Sequence, residues 1–478
     1  MARREKRHNS FLSMIEHFST KSLAIVSAHV GYLLLVLLVE GLDYEARVAL
    51  FAFLSSMTLW VTTKLPAGLV ATSLIVFIVL MKGSSPELLY HSLSEEVVWL
   101  ILGSFIIGEA VMQSGLADRL TAILVQKAKT KNKLVASVAF LLFFSSLFIP
   151  STSGRAALSM PMIHQLNNRF TSKELSVLAI MAPTVILMST SATLIGAGSH
   201  LIGVSLLEQT TGETISYVQW FIWGIPFAFV ITFLTVVIIK WILWPKSPTT
   251  FNEEQEQGEK IVSGKLSNKE KKCVVLIAFL IIGWMTERVH SYDIAFITVI
   301  GALLMMVPRY GIIVWKQGVN AVSWNLILFV AAATALGKVL VDTGVVSWIE
   351  QEWMQFLFMF DHAPEWFIVC TILIVTTTSH LLITSHTTRA IVLIPMLLIF
   401  SQTMQVDPTT VVFLSLIGIN YCVTFPVSSK ALLLFYEEGN VSYDAKHLLK
   451  ISAILLPVYI ILTLLFYFTY WQWTGMNL

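Results

Sequence analysis

Apolar residues in this chain come in long runs, and the runs recur from one end to the other. Most approach the ~20 residues that an α-helix needs to cross ~30 Å of hydrocarbon. They predict crossing helices at 23–40, 46–63, 66–82, 97–114, 174–195, 217–243, 273–287, 293–308, 324–341, 409–427 and 451–471. Two further apolar stretches, 134–165 and 366–401, are interrupted near their middles by polar clusters. Irregular backbone at membrane depth is tolerated only inside protein or beside a water-filled cavity, so both stretches read as re-entrant hairpins. The pattern therefore predicts an all-α membrane protein with about 11 transmembrane helices and two re-entrant hairpins.

Composition points to lipid as the solvent. Of 478 residues, 56% are hydrophobic and 13% charged, against a usual charged share of about 25%. The net charge of +2 gives no reason to expect a nucleic-acid partner. Cys273, Cys370 and Cys422 are scattered in apolar runs, with neither metal-ligand nor disulfide spacing. The basic start MARREKRHNS is followed by no short apolar run with a small-residue cleavage site. It reads as a cytoplasmic tail and not as a cleaved signal. With the N-terminus inside, 24 of the 31 Lys and Arg residues fall in inner segments, as the positive-inside rule requires. Arg47, Lys82 and Arg288 lie outside, and Arg155, Lys338, Arg389 and Lys430 lie at membrane depth. The expected location is the cell inner membrane, with the N-terminus cytoplasmic and the C-terminus outside. Residues 246–272, rich in Glu, Lys and Ser, read as a flexible cytoplasmic linker between two halves.

The halves resemble each other. GEAVMQSGL (108–116) matches GKVLVDTGV (337–345), and STSGRAALSMP (151–161) matches SHTTRAIVLIP (385–395). ISYVQWFIWGIP (215–226) matches VSYDAKHLLKIS (441–452) more faintly. After a tail and first helix (1–40), the repeats run 41–245, with hairpin 134–165, and 273–478, with hairpin 366–401. Each holds an odd number of crossings, so the second copy is expected upside down. Inverted repeats of this kind place a substrate site near the midplane, where broken helices meet.

The hairpin tips carry the candidate chemistry. The first reads Ser151-Thr152-Ser153-Gly154-Arg155, the second Ser385-His386-Thr387-Thr388-Arg389. Hydroxyls ahead of a helix can cap it, and the free N–H groups there suit an anion. Ser151, Thr152, Ser153, Arg155, Ser385, His386, Thr387, Arg389 and Ser428 are the candidate substrate-binding residues. Oxygens at a helix break can also hold a hard cation, which makes Ser146, Ser151, Gly198 and Ser385 candidate Na⁺ ligands. Arg155 and Arg389 either clamp an anion or tie down their own hairpins. His380 reads as a structural histidine. Behind the tips, breaks are expected at 193–200, where two glycines permit close backbone approach, and at 424–430, where Pro426 frees a carbonyl. Lys430 either holds a fixed positive charge near the site or snorkels to the inner face. Glu109 and Lys338 occupy matched repeat positions and read either as interfacial snorkelling residues or as an ion pair between the repeats.

At these residues the chain resembles the divalent-anion:sodium symporter family, whose members carry dicarboxylates, citrate or sulfate. The likeness covers almost everything after residue 40. WLILGSFIIGEAVMQSGLADRL (99–120) is similar to that family's fourth crossing, and the tips sit where its paired Ser-Asn-Thr motifs belong. The resemblance implies a homodimer, a moving transport domain working as an elevator, and two sodium sites flanking the substrate. Thr152 and His386 stand where the motif asparagines would be.

The expected function is secondary active transport of small anions, di- or tricarboxylate or sulfate-like, coupled to a cation. Proton-coupled or exchange-type anion transport, or another antiporter of the wider ion-transporter group, stays open. An enzyme is not expected: the chain has no metal cluster, catalytic carboxylate pair or phosphate-binding glycine loop at membrane depth.

Overall fold

In the computed structural model, the described residues are 20–63, 65–128, 130–147, 149, 152–166, 169–245, 265–349, 351, 363–437 and 442–478. The tail 1–19 and linker residues 246–264 lie outside this set. Every regular element among the described residues is helical.

The chain divides into two compact units, Met1–Leu93 with Leu328–Gln355, and Ser94–Ile327 with Phe356–Leu478. In the first, helices Thr20–Leu38, Tyr44–Thr62 and Ala67–Leu80 pack in sequence order. Their exposed leucines and valines, such as Leu34, Leu37 and Leu69, suit a lipid-facing surface.

The second unit holds both hairpins. In the first hairpin, Lys131–Ser145 is followed by Thr152–Gln165; in the second, Glu365–Thr378 and a short 3₁₀ turn precede His386–Thr403. The predicted interruptions therefore fall where the helices stop. The helix that fills the run at 174–195 stops at the first break, and the run at 409–427 is not one continuous helix. Ser172–Met188 gives way to 3₁₀ turns and resumes as Gly198–Thr211. Pro408–Asn420 likewise ends before a 3₁₀ turn and resumes as Lys430–Glu437. The two breaks share one backbone pattern: an extended residue (Thr193, Phe425), a three-residue 3₁₀ turn, a second extended residue (Ala197, Ser429), then a helix. Fourteen helical residues cover only about 21 Å, so Gly198–Thr211 is a partial crossing.

Packing then crosses between the halves. The helix after the first break lies against the return helix of the second hairpin. The helix after the second break lies against the return helix of the first. Among the described residues, five helices are long and apolar enough to cross a membrane by themselves: Glu96–Ser114, Ser172–Ala192, Tyr217–Leu243, Trp324–Asp342 and Ala445–Trp471. Shorter apolar helices, including Ile294–Met306 and Pro408–Asn420, accompany them.

Candidate functional site

The first hairpin is fastened to the first break at its turn. Ser146 ends the descending arm, where its Oγ donates to Phe143 O (2.7 Å) and its carbonyl accepts from Thr193 Oγ1 (2.9 Å). The return helix opens at Thr152, with Thr152 and Ser153 half-buried. Ser151 lies outside the described residues. In the second hairpin Ser385 is the helix cap, its Oγ accepting from Thr388 N at 3.2 Å. Ser385 is exposed, while His386 and Thr387 are half-buried. The capping role expected of a hydroxyl ahead of a helix is thus present at the second tip.

Arg155 and Arg389 sit one turn further on and are 1% and 0% exposed. Arg155 Nη1 donates to Ser189 Oγ, and Arg389 Nη1 donates to Tyr421 O, each at 3.0 Å. Ser189 and Tyr421 stand at equivalent places, each five residues ahead of its 3₁₀ turn. Each guanidinium therefore ties its tip helix to the break in its own half. Nε and Nη2 of both arginines have no hydrogen-bond partner. The ion pairs among the described residues are Arg119–Glu270 and Lys131–Glu174, so neither buried arginine faces a carboxylate. Removing a guanidinium from water is costly unless an anion or good acceptor meets it. The unused N–H groups are charge-assisted donors suited to an oxyanion.

The two halves meet in a polar seam. Asn420 Nδ2 donates to Ser191 Oγ (3.0 Å), and Asn420 Oδ1 lies 3.0 Å from His200 Nε2. His200 Nδ1 is 3.1 Å from Thr193 O, and its ring lies over Trp220 with centroids 4.4 Å apart. Trp220 Nε1 donates to Ser191 O. Ser191 is two residues from the Arg155 partner, and Asn420 adjoins the Arg389 partner, so the seam is formed by chain segments that also anchor the two arginines.

The remaining candidates fall around this network. Ser428 is buried and closes its 3₁₀ turn, accepting from Phe425 N at 3.3 Å. Gly196 is required, since a Cβ there would lie 2.1 Å from Thr190 O; beside Gly198 the space is open. His380 is held at both nitrogens, by Thr377 O and by Thr424 Oγ1, and Thr424 Oγ1 continues to Ser452 Oγ. His386 Nε2 contacts Cys422 Sγ at 3.1 Å, and its Nδ1 is buried without a partner. Ser189, Ser191, Ser199, His200, Asn420 and Tyr421 were not singled out by sequence pattern as site residues, except that Ser199 and His200 fall within the expected first break. Ser199 Oγ is also buried and unpartnered.

A cavity of about 620 Å³ opens beside the first tip. Ser153 and Gly154 line it, together with Lys430 from the second break and Glu109 from helix Glu96–Ser114. Ser385 and His386 are not among its walls. No cluster of three His, Cys, Asp or Glu side chains suits a metal among the described residues. A coupling cation would rest on hydroxyl and carbonyl oxygens.

Helices broken around a buried, arginine-backed polar seam form the architecture of a multi-pass membrane transporter. Residues 17–477 match the family model described as the sodium:sulfate symporter transmembrane region, and the chain belongs to that family. It is a transport protein and not an enzyme. A Cupriavidus necator protein described as a membrane protein is 25% identical, over 94% of this chain and 92% of its own length. The sodium-dependent dicarboxylate transporter SdcS of Staphylococcus saprophyticus is 25% identical, over 84% and 83%. The L-tartrate/succinate antiporter of Shigella sonnei is 25% identical, over 53% and 54%. Among solved structures, the YdaH transporter of Alcanivorax borkumensis shares the fold, with a TM-score of 0.54 and 15% identity, covering 78% of this chain and 85% of that one.

Proposed function

We propose that this chain is a secondary active transporter of small anions, of the di- or tricarboxylate or sulfate type, coupled to a cation. The observation that carries the reading is the pair of buried arginines. Each stands behind a hydroxyl-bearing tip, spends one nitrogen on its own break, and keeps two nitrogens without a partner. An anion supplies the charge that such groups lack in a low-dielectric interior. In this reading the two tips and breaks belong to inverted repeats 41–245 and 273–478, in a scheme of 11 crossings and two hairpins. Thr152, Ser153, Arg155, His386, Thr387, Arg389 and Ser428 surround the substrate, with Ser151 and Ser385 at the tips. Ser146, Ser151, Gly198 and Ser385 contribute oxygens to Na⁺. The protein works as a homodimer in the inner membrane, N-terminus in the cytoplasm, by an elevator motion of the hairpin-bearing elements.

Anion exchange is the second reading. It is favoured by Thr152 and His386 standing in place of two amides that would ligate sodium, and by similarity to an antiporter. Uptake of ¹⁴C-succinate and ³⁵S-sulfate into proteoliposomes separates the two. An inward sodium gradient that accelerates uptake at least several-fold supports cation-coupled symport. Uptake that ignores sodium and proton gradients but rises with unlabelled anion inside establishes exchange. No uptake of either anion under any gradient refutes the substrate class.

A further inference from the structure

The 620 Å³ cavity beside the first tip has two charged groups on its walls, and they have opposite signs. One wall is a single stripe of helix Glu96–Ser114: Ser104, Phe105, Gly108, Glu109 and Met112. The opposite walls are the first tip, through Ser153 and Gly154, and the short helix after the second break, through Lys430, Leu433 and Leu434. Lys430 is the first residue of that helix, whose start is capped by Ser429 Oγ accepting from Ala431 N at 3.2 Å. Glu109 and Lys430 do not pair with each other; among the described residues the ion pairs lie elsewhere. The Glu109 carboxylate accepts instead from the neutral side chain of Gln113, at 2.9 Å. Beside Gly108 the space is open, since a Cβ built there would meet nothing within 4 Å.

A dianion entering this cavity is attracted by Lys430 and repelled by Glu109. A ligand that satisfies both walls carries both an anionic group and an ammonium. We infer that the cavity is a binding site for a small amino-bearing anion, an aminocarboxylate or aminosulfonate. Its acid group is directed to Lys430 and the Ser153 hydroxyl, its ammonium to Glu109, and its carbon skeleton to Phe105, Met112 and Leu433. The site goes beyond the substrate class proposed above, because succinate and sulfate carry no ammonium. Glu109 is then the residue that selects amine-bearing over purely anionic ligands, and Lys430 the residue that holds the acid group common to both.

The test uses matched probes that differ only in ammonium against hydroxyl: taurine against isethionate, and L-aspartate against L-malate. Binding is measured by isothermal titration on the full-length protein in nanodiscs. At an exposed-to-half-buried site an added charge-assisted hydrogen bond corresponds to roughly a tenfold preference or more. The expected result is that the amino member of one pair binds at least tenfold more tightly. Glu109→Gln brings the ratio within about twofold, Lys430→Gln weakens both members, and Lys430→Arg restores them. Gly108→Leu, whose Cβ meets open space, abolishes binding of both pairs while leaving the melting temperature within a few degrees. Equal affinities within both pairs in the wild type overturn the inference, as does a preference that survives Glu109→Gln. Uptake of succinate and sulfate by the same wild-type preparation reports separately on the proposed transport function, so failure of one does not imply failure of the other.

Discussion

Lys131 and Glu174 close the base of the first hairpin, and breaking that closure should loosen the tip it supports. Lys131 Nζ reaches both carboxylate oxygens of Glu174, at 3.1 and 3.0 Å. Glu174 is also the third residue of a capping box, accepting from Thr171 N at 2.8 Å and Thr171 Oγ1 at 3.0 Å. The carboxylate side chain is 0% exposed and the lysine side chain 10%. At 3.0 Å and an effective dielectric constant of 20, the gross attraction is about 5 kcal/mol. Much of this offsets desolvation, and removing one partner of a buried pair costs ~3–5 kcal/mol. Lys131→Met takes the neutralising cation from a carboxylate that is 0% exposed and keeps its bonds from Thr171, and should destabilise by about 3 kcal/mol. Glu174→Leu leaves a lysine that can reach solvent, and adds loss of a cap worth about 1 kcal/mol; about 2–3 kcal/mol is expected. The double variant loses the cap but no longer buries a lone charge, so it should fall only about 1–2 kcal/mol below wild type. The assay is denaturant titration in detergent, read by intrinsic tryptophan fluorescence. Single-variant losses that add in the double variant to within 0.5 kcal/mol would refute the coupling argued here.

Two further outcomes follow from single sites. A Cβ on Gly418 would lie 2.0 Å from Thr376 Oγ1, between two buried helices. Gly418→Ala should cost about 1–3 kcal/mol by overpacking, and adding Thr376→Ala should recover only part of it in a thermal melt, because Thr376 Cβ itself would stand 2.8 Å from the new methyl. Glu270 precedes the apolar run that begins at Cys273. Burial acts to raise its carboxyl, but hydrogen bonds from Ser267 and the Arg119 guanidinium outweigh burial and hold it below its ordinary 4.5. A depressed folded value contributes stability that is complete above 4.5 and is lost as pH falls through the lowered value. Glu270→Gln should therefore lower stability at pH 7 and flatten its decline on acidification, measured by melts between pH 3 and 7.

The helix breaks within 134–165 and 366–401 were legible because polar, helix-interrupting residues stand in the middle of apolar runs. A 15-residue helical arm such as Lys131–Ser145 spans too little hydrocarbon to be mistaken for a full crossing once its end is marked. Helix Gly198–Thr211 was not legible. It carries Gly198, Ser199, His200, Gly203 and Gln209, so an apolar-run reading sees a loop, although Leu201, Ile202 and Leu207 are buried in the second unit. The arginines were legible as buried charges, but half of their bonding was not. Ser189 offers a side chain that a pattern could in principle reveal, whereas Tyr421 offers only its backbone carbonyl. Any residue at 421 has that carbonyl, so side-chain identity carries no signal. The cross-half bond from Asn420 to Ser191 spans 229 positions and depends on packing that no local window contains. Lys430 was readable as a charge near the second break; its place on the cavity wall with Ser153 follows only from packing of its helix against the first return helix.

The central claim is that Arg155 and Arg389 together hold an anion. Equilibrium binding of ³⁵S-sulfate and ¹⁴C-succinate to purified Arg155→Met and Arg389→Met, each shown to be folded by its melt, tests it most directly. Loss of one or two charge-assisted hydrogen bonds, at about 1.5–3 kcal/mol each, predicts a fall in affinity of at least tenfold in either variant. Wild-type affinity for both anions in either folded variant would contradict the account.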